Sequence, residues 1–289
     1  MARPGTACIA TAVLAASAGA LLTAVLLRAP DLPVIAQPEN AVVLRALAGW
    51  DHGKIVDLTP PFYPGMPHSE ALGDQVIEPL FAHEPGVGRL GAGAQLDRYT
   101  LVGQWGTHVD APVHFGAGMR SVDQLRPDEM ILPLVVLDIH SAVAANPDYV
   151  VSMEDVERWE RQHGRIPLHA FVALRSDWCA RSPDAAAFFN TDAVGVNHYP
   201  GWSEAVLHYL DLKRLAVAIG HETPDTDPGS VATKGTYPLE SWHLRQDRYQ
   251  IERLCNLDRV PAAGAVIFVT WPNVKGGSGF PARAIALLP

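Results

Sequence analysis

Short apolar runs at 132–139, 170–175, 215–219, 265–270 and 282–287 punctuate the chain, rich in Val, Ile, Leu and Ala. Runs this short and continuous read as strands buried on both faces. A further run at 55–59 opens a domain as a strand and is stopped by Pro60 and Pro61. Between the runs the spacing becomes helical. Ser152 followed by Asp155 forms a capping box that opens a helix ending near Gly164. Ser203 caps a second helix through Leu210, with Ala205, Val206 and Tyr209 on one face. Alternating strands and helices predict an α/β domain. Residues 61–95 hold many Pro and Gly with no sustained period, and read as a long ordered loop over something functional.

The N-terminus reads differently. Arg3 precedes an apolar run from about 7 to 27, Arg28 follows, and Val34-Ile35-Ala36 resembles a small-residue cleavage site. Residues 1–36 are therefore expected to be a signal peptide or membrane anchor, 37–51 a linker, and 52–289 the functional domain. The chain is then exported, periplasmic or extracellular, or held by an N-terminal membrane anchor. The alternative is a cytoplasmic protein that begins near Leu44.

Composition narrows the partners. Of 289 residues, 48% are apolar and 18% charged, which is globular rather than disordered. The net charge of −9, without a Lys/Arg cluster, excludes nucleic acid as a partner. Cys8 lies in the leader, and Cys179 and Cys255 are too far apart for a CxxC site. They read as two separate buried thiols, with a single disulfide as the alternative.

Chemistry concentrates in 104–115. His108 and Asp110 are two apart, so on an extended chain they face one side. An imidazole and a carboxylate converging there suit Zn2+ or Mn2+, and Gln104 can add an amide oxygen. Gly106 permits a tight turn, and Pro112 re-aims His114 as a base rather than a ligand. Trp105 packs beside the site or walls an aromatic substrate. There is no Gly-x-Ser-x-Gly elbow, no His-Glu-x-x-His, no P-loop and no dinucleotide fingerprint.

The string Gly106-Thr107-His108-x-Asp110-x-Pro112-x-His114 resembles the signature of the cyclase family of metal-dependent hydrolases, which includes bacterial kynurenine formamidases, isatin hydrolases and trans-dienelactone hydrolases. The stretches 220–227, 249–257 and 276–283 resemble further family segments, so the likeness runs from about 52 to the end. It implies a swivelling β/β/α fold, a homodimer or homotetramer, and a metal-facing or catalytic role for Glu252. One departure is that Gln104 stands where the family has its first metal-binding His. Another is that Glu240, with His243 nearby, stands where a His precedes the Glu that matches Glu252.

Together these imply a hydrolase for a small-molecule amide or lactone. One divalent cation, Mn2+ or Zn2+, sits on Gln104, His108 and Asp110. His114 and Glu252 act as catalytic groups, and Trp105 and His221 as substrate-binding residues. An arylformamide is the first substrate class, followed by isatin-like lactams and dienelactones. A non-catalytic metal- or ligand-binding module is the alternative from another class.

Overall fold

The computed structural model describes residues 52–289. The expected leader and linker lie outside them. Strands are β1 (Ile55–Asp57), β2 (Val76–Ala82), β3 (Gly91–Ala92), β4 (Leu96–Thr100), β5 (His108–Asp110), β6 (Ile131–Asp138), β7 (Phe171–Arg175), β8 (Ala218–His221), β9 (Tyr249–Glu252), β10 (Ala265–Thr270), β11 (Gly279–Pro281) and β12 (Arg283–Leu287). Helices are α1 (His140–Ala145), α2 (Met153–His163), α3 (Ala185–Phe189), α4 (Glu204–His208), α5 (Gly229–Ala232) and α6 (Pro238–Arg245).

Nine strands form one curled mixed sheet in the order β1-β12-β10-β6-β7-β8-β9-β5-β11. The centre, β6 to β9, is parallel, and the flanking pairings are antiparallel. Alternation decides where each side chain goes. Leu134, Val136, Phe171, Ala173 and Ala218 enter one core with Val56, Val109, Ile251 and Ala284. Val135, Leu137, Val172, Leu174 and Ile219 enter the other, under Val156 and Trp159 of α2 and Val206 of α4. Burial on both faces is why these strands read as continuous apolar runs. The Ser152 capping box forms as expected, with Ser152 Oγ accepting from the Asp155 N–H.

Four readings change. The 215–219 run joins the sheet only from Val217, because Leu215 adopts φ of +51° and the Ala216 N–H is still tied to the Leu210 carbonyl of the preceding turn. The Ser203 helix closes at His208 and passes into a π turn, Tyr209–Lys213, instead of running straight to Leu210. The 61–95 stretch is not all loop: β2 pairs antiparallel with β4 and parallel with β3 in a separate small sheet. No residue of that sheet is buried, so it has no core-facing side to impose a period. Cys179 and Cys255 are joined in a disulfide, with Cα atoms 5.2 Å apart, rather than left as separate thiols. Among the described residues no helix is long and apolar enough to cross a membrane.

Candidate active site

The site follows from strand register. β5 and β9 pair antiparallel with His108 opposite Glu252 and Asp110 opposite Gln250. Residues two apart share a face, so four polar side chains project from one patch of sheet. On the other side of β5, Gly279 of β11 lies opposite Asp110. A Cβ there would collide with the Gln104 amide and stand 3.0 Å from Asp110 Oδ1, so glycine is what lets β11 close over the site. The Thr107 hydroxyl donates to the Arg253 carbonyl at 2.7 Å and ties the two strands together.

His108 Nδ1 is 2.9 Å from the Gly106 carbonyl oxygen. A carbonyl only accepts, so Nδ1 carries the proton and Nε2 faces Asp110 Oδ2 at 3.2 Å and Glu252 Oε2 at 3.5 Å. One ligating atom from each of His108, Asp110 and Glu252 lies within 4.8 Å of the others, and all three residues are buried. Gln250 sharpens the case. Its Nε2 is 3.2 Å from Asp110 Oδ2, 3.0 Å from Glu240 Oε1 and 2.9 Å from Glu252 Oε1. The Thr226 hydroxyl, donating to Gln250 Oε1 at 2.6 Å, fixes the amide in that orientation. An amide has two N–H groups for three carboxylates. Burial, then Glu240, Asp110 and Asp225, pushes the Glu252 carboxyl well above the usual carboxylate range. A buried cluster of this kind requires protons or a cation. One nitrogen and two carboxylates in reach of one point fit a divalent metal.

The Cyclase family profile, described as "Putative cyclase", matches residues 56–228. The isatin hydrolase of Roseibium aggregatum is 34% identical over 189 residues, covering 64% of this chain and 71% of that protein. This chain belongs to the cyclase family of metal-dependent hydrolases. Its fold matches isatin hydrolase A from Ralstonia solanacearum with a TM-score of 0.77 at 32% identity, over 88% of this chain and 100% of that one. An isatin hydrolase bound to the product analogue thioisatinate matches with a TM-score of 0.78 at 27% identity, over 88% of this chain and 100% of that one.

In this cyclase-family chain the patch floors a cavity of about 820 Å3. Phe115, Phe189, Tyr199, Tyr237 and Leu72 give it apolar walls, and His108, Asp110, His114, Glu240 and Glu252 give it a polar floor. That size and mixture suit a small organic ligand. Burial alone would raise the Asp110 carboxyl, but the neighbouring His108 and His114 imidazoles and the Gln104 amide hold it well below the usual range. Asp110 is thus the anionic member of the group.

The other expected site residues land in different places. His114 lines the cavity on the 3-10 turn after β5, with Nδ1 3.5 Å from Gln104 Nε2 and Nε2 3.8 Å from Glu240 Oε1. Gln104 stands beside the metal-type cluster with its amide nitrogen turned to Asp110 Oδ1 at 3.1 Å. It thereby spans Asp110 and His114, while Glu252 supplies the second carboxylate beside His108 Nε2, at 3.5 Å. Trp105 is not on the cavity wall. It is 1% exposed and stacks behind His68, whose ring centroid is 4.4 Å away and which does line the cavity. His221 is likewise 1% exposed and off the wall. The Trp202 indole N–H donates to its Nδ1 at 3.2 Å, leaving Nε2 to face Glu252 Oε1 at 3.5 Å. Burial, then His108, pushes His221 down to about 3, and its Nε2 has no hydrogen-bond partner among the described residues.

Reading the sequence missed His68, Tyr199, Gln250 and Arg253. Gln250 carried a usable signal, since it sits two residues before Glu252 and so shares its face. The others reach the cavity only through chain folding and carry no local pattern.

Proposed function

We propose that this chain opens a small cyclic amide of the isatin type by adding water across its C–N bond, using one divalent cation, Mn2+ or Zn2+, on His108, Asp110 and Glu252. The observation that carries this is the convergence of that buried group with His114 at the floor of an apolar-walled cavity. Relatives that are themselves isatin hydrolases favour the ring amide over an arylformamide. A cation held by these residues would supply Lewis acidity to the attacking water and to the substrate carbonyl. His114, half-exposed to the cavity, takes a proton from the attacking water and returns it to the leaving nitrogen. Glu240 stands 3.8 Å behind His114 Nε2. Burial, then Asp110, Asp225 and Asp227, raises its carboxyl well above the usual range, which favours a protonated partner for His114. The aromatic walls hold a flat ring and exclude bulk water.

The test uses purified chain stripped of metal and reloaded with Mn2+ or Zn2+, assayed on isatin, N-formylkynurenine and a dienelactone. Metal-dependent opening of isatin, with His114→Ala reducing turnover about 10²–10⁴-fold, is the expected outcome. Preferred cleavage of N-formylkynurenine would return the reading to an arylformamidase. Turnover that survives both metal removal and His114→Ala would remove the mechanism.

Two further proposals concern context. A homodimer or homotetramer is supported by exposed apolar side chains on the small sheet, among them Val76, Leu96 and Tyr99 at 55%, 53% and 55% exposure. Light scattering of wild type and Tyr99→Glu tests it, and a monomeric wild type rejects it. Export or anchoring through residues 1–36 is supported by the Cys179–Cys255 disulfide, which belongs to an oxidising compartment. Fractionation of cells expressing the full chain, with mass measurement of the mature N-terminus, tests it.

A further inference from the structure

Arg253 directly follows Glu252 and leaves β9 with φ of +59°. A left-handed conformation is costly for a residue with a Cβ, and such positions cluster at ligand clamps. The backbone is held there from both sides. Its carbonyl accepts from Thr107, and the next N–H, of Leu254, donates to the His221 carbonyl at 2.9 Å.

The side chain is only 8% exposed, yet it lines the cavity. Its guanidinium carbon lies 4.7 Å from the centroid of the Phe188 ring, and Nη2 donates to the Pro67 carbonyl. A guanidinium has five N–H groups. Among the described residues Pro67 is the acceptor found for them, and buried Nε has none. The nearby carboxylates are engaged elsewhere: Asp225 accepts from the Tyr199 hydroxyl, and Glu252 Oε1 accepts from Gln250. A buried cation with donors left over bears a desolvation cost that a ligand's oxygens can offset. The matching ligand is planar and anionic, because the guanidinium fork pairs two-pronged with a carboxylate.

We propose that Arg253 is the binding residue for the carboxylate of an aryl α-keto acid. This deepens the ring-amide reading and rests on it. Opening a ring that carries adjacent carbonyls joins the water oxygen to the amide carbon and breaks the C–N bond. One water proton goes to the nitrogen, and the new carboxylic acid loses the other. The product is an aryl α-keto carboxylate, and its negative charge develops beside Glu252, where Arg253 stands.

The experiment measures binding of phenylglyoxylate and its neutral counterpart phenylglyoxamide to the metal-loaded protein by calorimetry. Wild type is expected to prefer the anion, and Arg253→Met to cut the anion-to-neutral affinity ratio at least tenfold, about 1.4 kcal/mol. Arg253→Lys keeps charge without the fork and should lose part of the ratio. Loss of a merely structural support would weaken both ligands alike and leave the ratio unchanged, which overturns the proposal. Arg253→Gln, which keeps an amide donor for Pro67, repeats the measurement if the Met variant does not fold. A ratio that falls in a protein unable to open isatin keeps the anchor and removes the ring-amide reading. Isatin opening with an unchanged ratio does the reverse.

Discussion

Gly279→Ala tests how the site is closed. A Cβ at this position would stand 2.6 Å from the Val109 carbonyl oxygen and 3.0 Å from Asp110 Oδ1, and would overlap the Gln104 amide. Comfortable contact begins near 3.5 Å, so β5 and β11 must separate by roughly 0.9 Å. Val109 is backbone between His108 and Asp110, so the strand that carries both would move with it. Overpacking of this kind costs about 1–3 kcal/mol. At roughly 2–4 °C per kcal/mol for a domain of this size, Tm should fall by about 2–12 °C. A shift near 1 Å at the reacting groups should lower kcat/KM by about 100-fold. Gly276→Ala is the control. Gly276 has φ of +72° and open space around its Cβ position, so it should lose stability through backbone strain while leaving the site intact. Calorimetry, kcat/KM at saturating metal and metal affinity would be measured for both. A Gly279→Ala enzyme with wild-type Tm and kcat/KM would refute the placement of β11 against the site.

Three other outcomes follow from the same structure. Replacing Cys179 and Cys255 by Ser opens a loop of 76 residues, and chain entropy sets the stability loss at up to about 4.5 kcal/mol, read by denaturant titration; an unchanged midpoint would mean that the unfolded chain gains nothing from the opening. Metal at 100 times its Kd should stabilise the fold by about 2.7 kcal/mol, and His108→Ala should abolish that gain in thermal scans; a variant that still responds would place the cation elsewhere. Burial raises the Glu222 carboxyl to about 7, against hydrogen bonds from the Ser176 N–H and hydroxyl and the Trp178 N–H. Its folded pKa lies above the unfolded one, so its contribution is fully present below the unfolded carboxylate pKa and is lost as pH rises toward 7. Glu222→Gln should flatten the fall in stability across that window, and an unchanged slope would assign the fall to other groups.

Legibility of the site divided along physical lines. His108, Asp110 and His114 were readable because their spacing is short and the extended chain fixes which of them share a face. Glu252 was noticed through family resemblance, but its place beside His108 was not readable, since it depends on the register of β5 against β9. Trp105 and His221 looked like site residues because they neighbour the motif or a strand end. Sequence proximity does not distinguish a side chain on the cavity wall from one behind it. Arg253 gave no signal, because its role arises from a backbone bend and from Phe188 and Pro67, brought together from other segments.

By itself the sequence determined the buried strands at the centre of the sheet, the Ser152 helix start and the short metal-type motif. Each of these is written in contacts a few residues apart: burial on both faces, a capping side chain, alternation along one strand. Only the tertiary structure decided the small exposed sheet at 76–100, the pairing of Cys179 with Cys255, the place of the second carboxylate in the metal cluster and the cation in the cavity wall. These depend on contacts between distant segments, whose geometry is set by the collective packing of two cores and by strand register, and no local pattern encodes either.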